Sequence, residues 1–326
     1  MPPRSARCST TSTGCCWTAR MTEIATVGWL TLDDIIFEDG TMLRASVGGG
    51  VLYSAVGAAL WERETGIHAV CGEESWDLVV PQIRAFGIDT AGISPIAGHG
   101  LVLWVLNESE VIKQQLPKRH STPVERLDAE RPLLPPAYQE IKGLHVAPQT
   151  PFGSKRAVRE GHASHPNAAI SVDILADDFI DATDYADFAF LHGARIFCPS
   201  EIEVRRIWAP DDLGAWARAT ADRLGIAIAV KLGEKGTLVA DGARQKLFHV
   251  PICKVTAIDT TGAGDSFCGG LMAGLVMGER PEIAAAMGAV SASYVVEAHG
   301  ALNTARPDRA AREERLSAIL NSIQEI

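Results

Sequence analysis

From residue 143 onward the chain repeats one pattern, a short apolar run followed by a longer helical stretch. The runs Leu144-His145-Val146, Ala169-Ile170-Ser171-Val172-Asp173, Phe188-Ala189-Phe190-Leu191, Arg195-Ile196-Phe197-Cys198 and Ile226-Ala227-Ile228-Ala229-Val230 each read as a strand, and residues 213–224 read as one of the helices between them. Parallel strands need long crossovers, and their sheet must be covered on both faces, so this alternation predicts an α/β fold with a doubly wound, mostly parallel sheet. Ile24-Ala25-Thr26-Val27-Gly28, β-rich and closed by glycine, is the expected first strand. At 326 residues the chain is long enough for one such domain.

The composition narrows the class further. Hydrophobic residues make up 47% of the chain and charged residues 21%, enough apolar material for a large core. A net charge of -10 with no basic run argues against nucleic-acid binding. No apolar stretch is long enough for a membrane span, and the nearest, residues 283–296, is rich in Ala, Gly and Ser, as suits a helix against a sheet. The seven cysteines show no metal spacing, as in a reduced, cytoplasmic protein. Among the histidines, His145, His162, His165 and His192 match no common ligand set. Residues 1–20 differ from the rest, with three Arg, three Cys and no acid. They read as a disordered extension or a start codon called too early, Met21 being the true start, with a targeting peptide as the alternative.

Chemistry concentrates in Ile258-Asp259-Thr260-Thr261-Gly262-Ala263-Gly264-Asp265-Ser266-Phe267. Glycines flank an alanine, and residues 266–277 that follow are small or apolar without proline. This reads as a loop turning into a helix whose opening amides and dipole suit an anion, typically phosphate. A carboxylate at the mouth of an anion site repels its ligand unless it has chemical work. For Asp265 that work is taking a proton from a hydroxyl that attacks the phosphate.

The spelling Asp-Thr-Thr-Gly-Ala-Gly-Asp-Ser-Phe resembles the C-terminal signature of the ribokinase-like (PfkB) carbohydrate kinases, and the resemblance spans about residues 24–304. It implies an ATP-dependent kinase acting on a sugar or polyol hydroxymethyl group, with Asp265 as base and Gly262, Ala263 and Gly264 as the anion hole. Three further landmarks carry over residue by residue. Asp33, with Asp34 as its rival, stands where the family keeps an Asp for substrate hydroxyls. Gly48 and Gly49 match a Gly-Gly pair near the sugar, although Tyr53 replaces the Asn expected four residues later. In Cys198-Pro199-Ser200-Glu201-Ile202-Glu203, Glu203 matches the acid of an Asn-x-x-Glu motif that helps hold magnesium through water, and Ser200 replaces the Asn.

Lys231-Leu232-Gly233-Glu234-Lys235-Gly236 resembles the family's nucleotide turn, which assigns Lys231, Gly233, Gly236 and Thr260 to ATP. Asp259 and Thr261 match positions around a monovalent cation, K⁺ in this reading. The family also implies a small β lid, with strands near residues 35–47 and 100–113, and a homodimer through that lid. Residues 101–106 are strongly β-prone, and Val111-Ile112 would continue a hairpin there. Trp104 in that strand either stacks on the substrate or simply packs.

The bare residues leave alternatives. A Gly-x-Gly also occurs in ordinary helix-capping turns, Asp33 and Asp34 also read as solvated loop acids, and Lys231 as a solvated lysine. A nucleoside acceptor and a non-catalytic nucleotide- or sugar-binding protein both stay open. A P-loop phosphotransferase does not fit, because no Gly-x-x-x-x-Gly-Lys-Ser/Thr run occurs.

Overall fold

A computed structural model describes residues 21–107, 113–175 and 182–326. The extension at residues 1–20 and the proposed continuation at Val111-Ile112 lie outside the described residues. In chain order the first half comprises β1 (Ile24–Val27), β2 (Thr31–Ile36), β3 (Met42–Gly48), α1 (Gly50–Ala59), β4 (Thr65–Gly72), α2 (Trp76–Ala85), β5 (Asp89–Ile96), β6 (Leu101–Asn107), β7 (Lys113–Pro117) and α3 (Val124–Glu130). The second half comprises β8 (Gly143–Val146), α4 (Pro151–Ser164), β9 (Ala169–Val172), β10 (Ile196–Phe197), α5 (Glu201–Trp208), α6 (Leu213–Leu224), β11 (Ala227–Lys231), β12 (Thr237–Asp241), β13 (Lys246–Val250), α7 (Ala263–Val276), α8 (Pro281–Val295), α9 (Arg309–Leu320) and β14 (Gln324–Glu325).

Ten strands form the main sheet in the order β14-β13-β12-β11-β10-β9-β8-β1-β4-β5. It is parallel from β5 to β11, while β12, β13 and β14 add on antiparallel. Every residue of β1, β4, β8 and β9 is buried, as expected of strands covered on both faces. The winding reverses at β1: β4 and β5 extend to one side and β8 to β11 to the other. In doubly wound sheets such a reversal marks a crevice beyond the carboxyl ends of the strands, here β1 and β8, where ligands are taken.

Four strands form a second sheet in the order β3-β2-β6-β7, with β2 and β6 parallel and both outer pairs antiparallel. It spans residues 31–48 and 101–117, so Asp33 and Asp34, expected in a loop after the first strand, lie within β2 instead. Thr31, Asp33 and Ile35 turn to the buried face, and Ile35 packs with Leu101, Leu103 and Val105.

The helices on one face are built from small residues, and this positions the site. A side chain at Gly57 would run into the backbone of Ser266, and one at Gly269 into the backbone of Ser54. α1 and α7 therefore pack backbone to backbone. Gly270 and Gly274 leave similar room for Ser291 and Ala284 of α8. Gly50 at the start of α1 lies against the Asp265 side chain at the start of α7, beside the crevice.

One expected strand is absent. Residues 188–191 form no strand; Ala189–Leu191 is a 3-10 helix, entered through Phe188 at φ 60°. Phe188 stacks on Trp208 with ring centres 4.7 Å apart, and Phe190 meets Tyr185 and Phe197 edge-on. Aromatic packing, which periodicity does not register, gives this apolar run its conformation.

Candidate active site

Gly262 caps α7 in the left-handed conformation (φ 73°), and a Cβ there would run into the Tyr53 ring. The amides of Ala263, Gly264 and Asp265 fall in the first turn, ahead of any intrahelical acceptor, and Ala263 N reaches back to Thr260 O at 3.3 Å. Asp265 itself is half-buried. A Cβ on Gly50 would stand 2.6 Å from its Oδ1, so the carboxylate lies against the N-terminus of α1. Burial, reinforced by the nearby Asp173 carboxylate, pushes Asp265 up to about 6, while Lys231 holds it back.

Lys231 ends β11 and reaches across the sheet edge. Its Nζ donates to Asp173 Oδ2, lies 3.8 Å from Cys268 Sγ, and stands 3.6 Å from where a Cβ on Gly264 would be. The carboxylate keeps the ammonium charged: despite the burial that opposes it, Asp173 raises the Lys231 pKa well above the usual lysine range. Asp173 side-chain exposure is 2% and that of Lys231 14%, so the pair is largely shielded from water. The family resemblance assigns Lys231 to ATP and gives Asp173 no role. The available signal was the position of Asp173 at the carboxyl end of a predicted strand.

Glu203 joins this group. Burial, with Asp173 adding to it, pushes its carboxyl up to about 7, and Lys231 opposes the rise. Its Oε2 accepts from Ser200 N at 2.6 Å and its own amide donates to Ser200 Oγ at 3.2 Å, a reciprocal cap on α5. Ser200 in place of Asn is therefore a capping residue, and both residue types cap well.

The second sheet brings Asp33 to the same crevice. Its Oδ2 accepts from Thr31 Oγ1 at 2.8 Å, its Oδ1 is buried without a hydrogen-bond partner, and burial pushes the carboxyl up to about 7. The three consecutive glycines each have their own reason. A Cβ on Gly48 would strike the Asp33 carboxylate, Gly49 takes φ 98° against Trp29 O, and Gly50 makes room for Asp265. Tyr53 lies between these groups, its phenol raised by burial and then by Asp259, Asp33 and Asp265. Asp34 points the other way, bound to Lys118 Nζ at 2.7 Å. Trp104 shares that outer face with Lys118 4.3 Å above its ring, so it lies across the sheet from Asp33 and does not face the crevice.

The remaining predicted residues lie on two turns. Gly233 and Gly236 form the turn between β11 and β12, and Thr260 is exposed just before the Gly262 cap. Asp259 is buried; its Oδ1 accepts from Thr261 N at 2.9 Å and its Oδ2 is 3.7 Å from His299 Nδ1.

A glycine-capped helix start at the crevice of a doubly wound sheet suits an anion such as phosphate. The family pattern described as pfkB family carbohydrate kinase matches residues 47–309. The chain belongs to this family and is an ATP-dependent kinase. Cytidine kinase of Thermococcus kodakarensis is 23% identical over 290 residues, covering 86% of this chain and 98% of that protein. Two solved structures share the fold. Arabidopsis thaliana ribokinase complexed with ribose and ATP has a TM-score of 0.71 at 18% identity, covering 91% of this chain and 99% of the other. A fructokinase double mutant from Vibrio cholerae bound to fructose, ADP and potassium has a TM-score of 0.72 at 19% identity, covering 91% and 98%. No helix among the described residues is long and apolar enough to cross a membrane.

Proposed function

We propose that the chain transfers the γ-phosphoryl group of ATP to a hydroxymethyl group of a sugar or polyol, with Asp265 as general base. The observation that carries this reading is the position of the Asp265 carboxylate, in the first turn of α7 and against the N-terminus of α1, where burial pushes it up to about 6. A base with that pKa is ionised at neutral pH yet basic enough to accept a proton in the transition state. The Gly262, Ala263 and Gly264 main chain would stabilise charge on the group in transit. Asp33 and the backbone of Gly48 and Gly49 would hold the acceptor, with Tyr53 as the wall between acceptor and base. The second sheet would act as the lid, keeping water from the phosphate. Lys231, Gly233, Gly236 and Thr260 would border the nucleotide.

Glu203 and Asp173 fit magnesium in one respect. They are carboxylates beside the phosphate site, and magnesium takes one or two such groups plus phosphate and water, not a full protein cage. Among the described residues no cluster of three or more ligating side chains stands ready as such a cage. When bound, the ion would neutralise charge on the phosphates. Asp259 and Thr261 would border the monovalent cation.

A nucleoside acceptor is the second reading, favoured because the match to a cytidine kinase runs nearly the whole length of that protein. A coupled assay of ADP release over pentoses, hexoses, inositols and nucleosides separates the two. Turnover confined to nucleosides would replace the sugar reading, and none with any hydroxyl acceptor would overturn both.

A further inference from the structure

Asp173 follows β9 and Lys231 ends β11, so their ion pair spans β10 at the carboxyl edge of the sheet. Both Asp173 oxygens are engaged. Oδ1 accepts from Ile174 N at 2.9 Å, while Oδ2 meets Lys231 Nζ and accepts from the Cys268 thiol at 3.5 Å. Cys268 lies one turn beyond Asp265 in α7. The carboxylate therefore ties the lysine to the helix whose first turn carries the amides of Ala263 and Gly264.

A buried ion pair adds little net stability over apolar side chains of the same volume, so the pair calls for a second reason. The end of Lys231 supplies one. Its Nζ, Cδ and Cε stand 3.6–3.8 Å from where a Cβ on Gly264 would be, and the side chain keeps 14% exposure. An ammonium has three N–H donors and no acceptor. One meets Asp173 and a second faces Cys268 Sγ at 3.8 Å, which leaves the third for an oxygen placed before the first-turn amides. A compact point charge of this kind can keep its carboxylate and meet a phosphate oxygen at once.

We propose that Lys231 is a catalytic cation that contacts the phosphoryl group in transit, and that Asp173 is the positioning residue that aims it. This rests on the phosphoryl-transfer reading of the site. In that step the acceptor oxygen bonds to the γ-phosphorus as the bond to the bridging oxygen of ADP breaks, and the hydroxyl proton passes to Asp265. The lysine neither gives nor takes a proton. Charge spreads over the oxygens of the moving group, and an ammonium already fixed beside Gly264 stabilises it without reorganisation.

The test compares Lys231→Met, Asp173→Asn and the double variant in turnover, with an acceptor found by the coupled screen, and in binding of ADP and a non-hydrolysable ATP analogue at saturating magnesium. Lys231→Met should lower kcat by ~10²–10³-fold, the size of losing one fixed donor, and weaken the analogue more than ADP. Asp173→Asn should lower kcat by a smaller factor, and the double variant should fall no further than Lys231→Met alone, because the carboxylate acts through the lysine. Three results overturn the proposal: Lys231→Met turnover within a fewfold of the unaltered rate, losses that multiply in the double variant, or Asp173→Asn turnover restored by excess magnesium. A chain that turns over no acceptor defeats the phosphoryl-transfer reading along with it, whereas turnover kept by Lys231→Met defeats this proposal alone. Should Lys231→Met not fold, crystals of the unaltered protein with ADP, magnesium and aluminium fluoride decide the matter. Lys231 Nζ within hydrogen-bond distance of a fluorine supports the proposal, and a lysine out of reach of the fluoride overturns it.

Discussion

Lys231 and Asp173, 58 residues apart in sequence, form a largely buried ion pair across the carboxyl edge of the main sheet, beside the base proposed for phosphoryl transfer. The pair links two otherwise separate properties, because Lys231 balances the carboxylate that raises Asp265 and also restrains Asp265 directly. Removing it therefore bears on both stability and proton transfer.

Lys231→Met leaves Asp173 buried without its cation. Breaking a buried pair from one side costs about 3–5 kcal/mol, so the melting temperature should fall by several degrees. Without the ammonium, Asp265 stays protonated to a higher pH. The acid limb of the kcat/KM profile, expected near pH 6 in the unaltered enzyme, should move upward. A limb that stays in place would mean the lysine does not act on the base.

Asp33 carries a stability cost that its proposed role in holding the acceptor would explain. Its folded pKa of about 7 exceeds the usual carboxylate value, so the folded state favours the protonated form. There is no cost below the unfolded pKa near 4, and stability is lost as pH rises toward 7. Asp33→Asn should raise stability at pH 8 by up to about 4 kcal/mol and leave it unchanged at pH 3.5, while KM for the acceptor increases. Denaturant titrations at the two pH values check this; equal gains at both would place the effect elsewhere.

Gly50→Ala places a methyl where the Asp265 carboxylate lies. A displacement of about 1 Å at a reacting group costs on the order of 10²-fold in rate, so kcat should fall by about that factor with ATP affinity retained. Steady-state kinetics alongside nucleotide titration would show it, and an unchanged kcat would mean the base tolerates the shift.

Ser200→Ala removes the side-chain acceptor that caps α5, at a cost of about 1 kcal/mol. Since the cap also holds Glu203, the magnesium concentration for half-maximal activity should rise, and Ser200→Asn should restore both values. A stable Ser200→Ala protein with ordinary magnesium dependence would separate Glu203 from metal binding.

Much of this was legible in the chain. The run from Asp259 to Phe267 encodes its own turn and helix start, because glycine content and helix capping are local properties, and the strand-helix alternation gave the sheet. Residues 188–191 misled because a four-residue apolar run has no distinguishing period, and distant aromatic rings decided its conformation. Asp173 went unnoticed because its meaning comes from Lys231, two strands away in the sheet. The partners that require Gly48, Gly49 and Gly50, namely Asp33, Trp29 and Asp265, come from other parts of the chain and leave no local trace.

Replacing Asp265 with Asn keeps the shape of the site and removes only the base. With an acceptor found by the coupled screen, turnover should drop by ~10²–10⁴-fold while ATP binding, measured by titration, stays near that of the unaltered enzyme. Turnover within a fewfold of the unaltered rate would contradict the account.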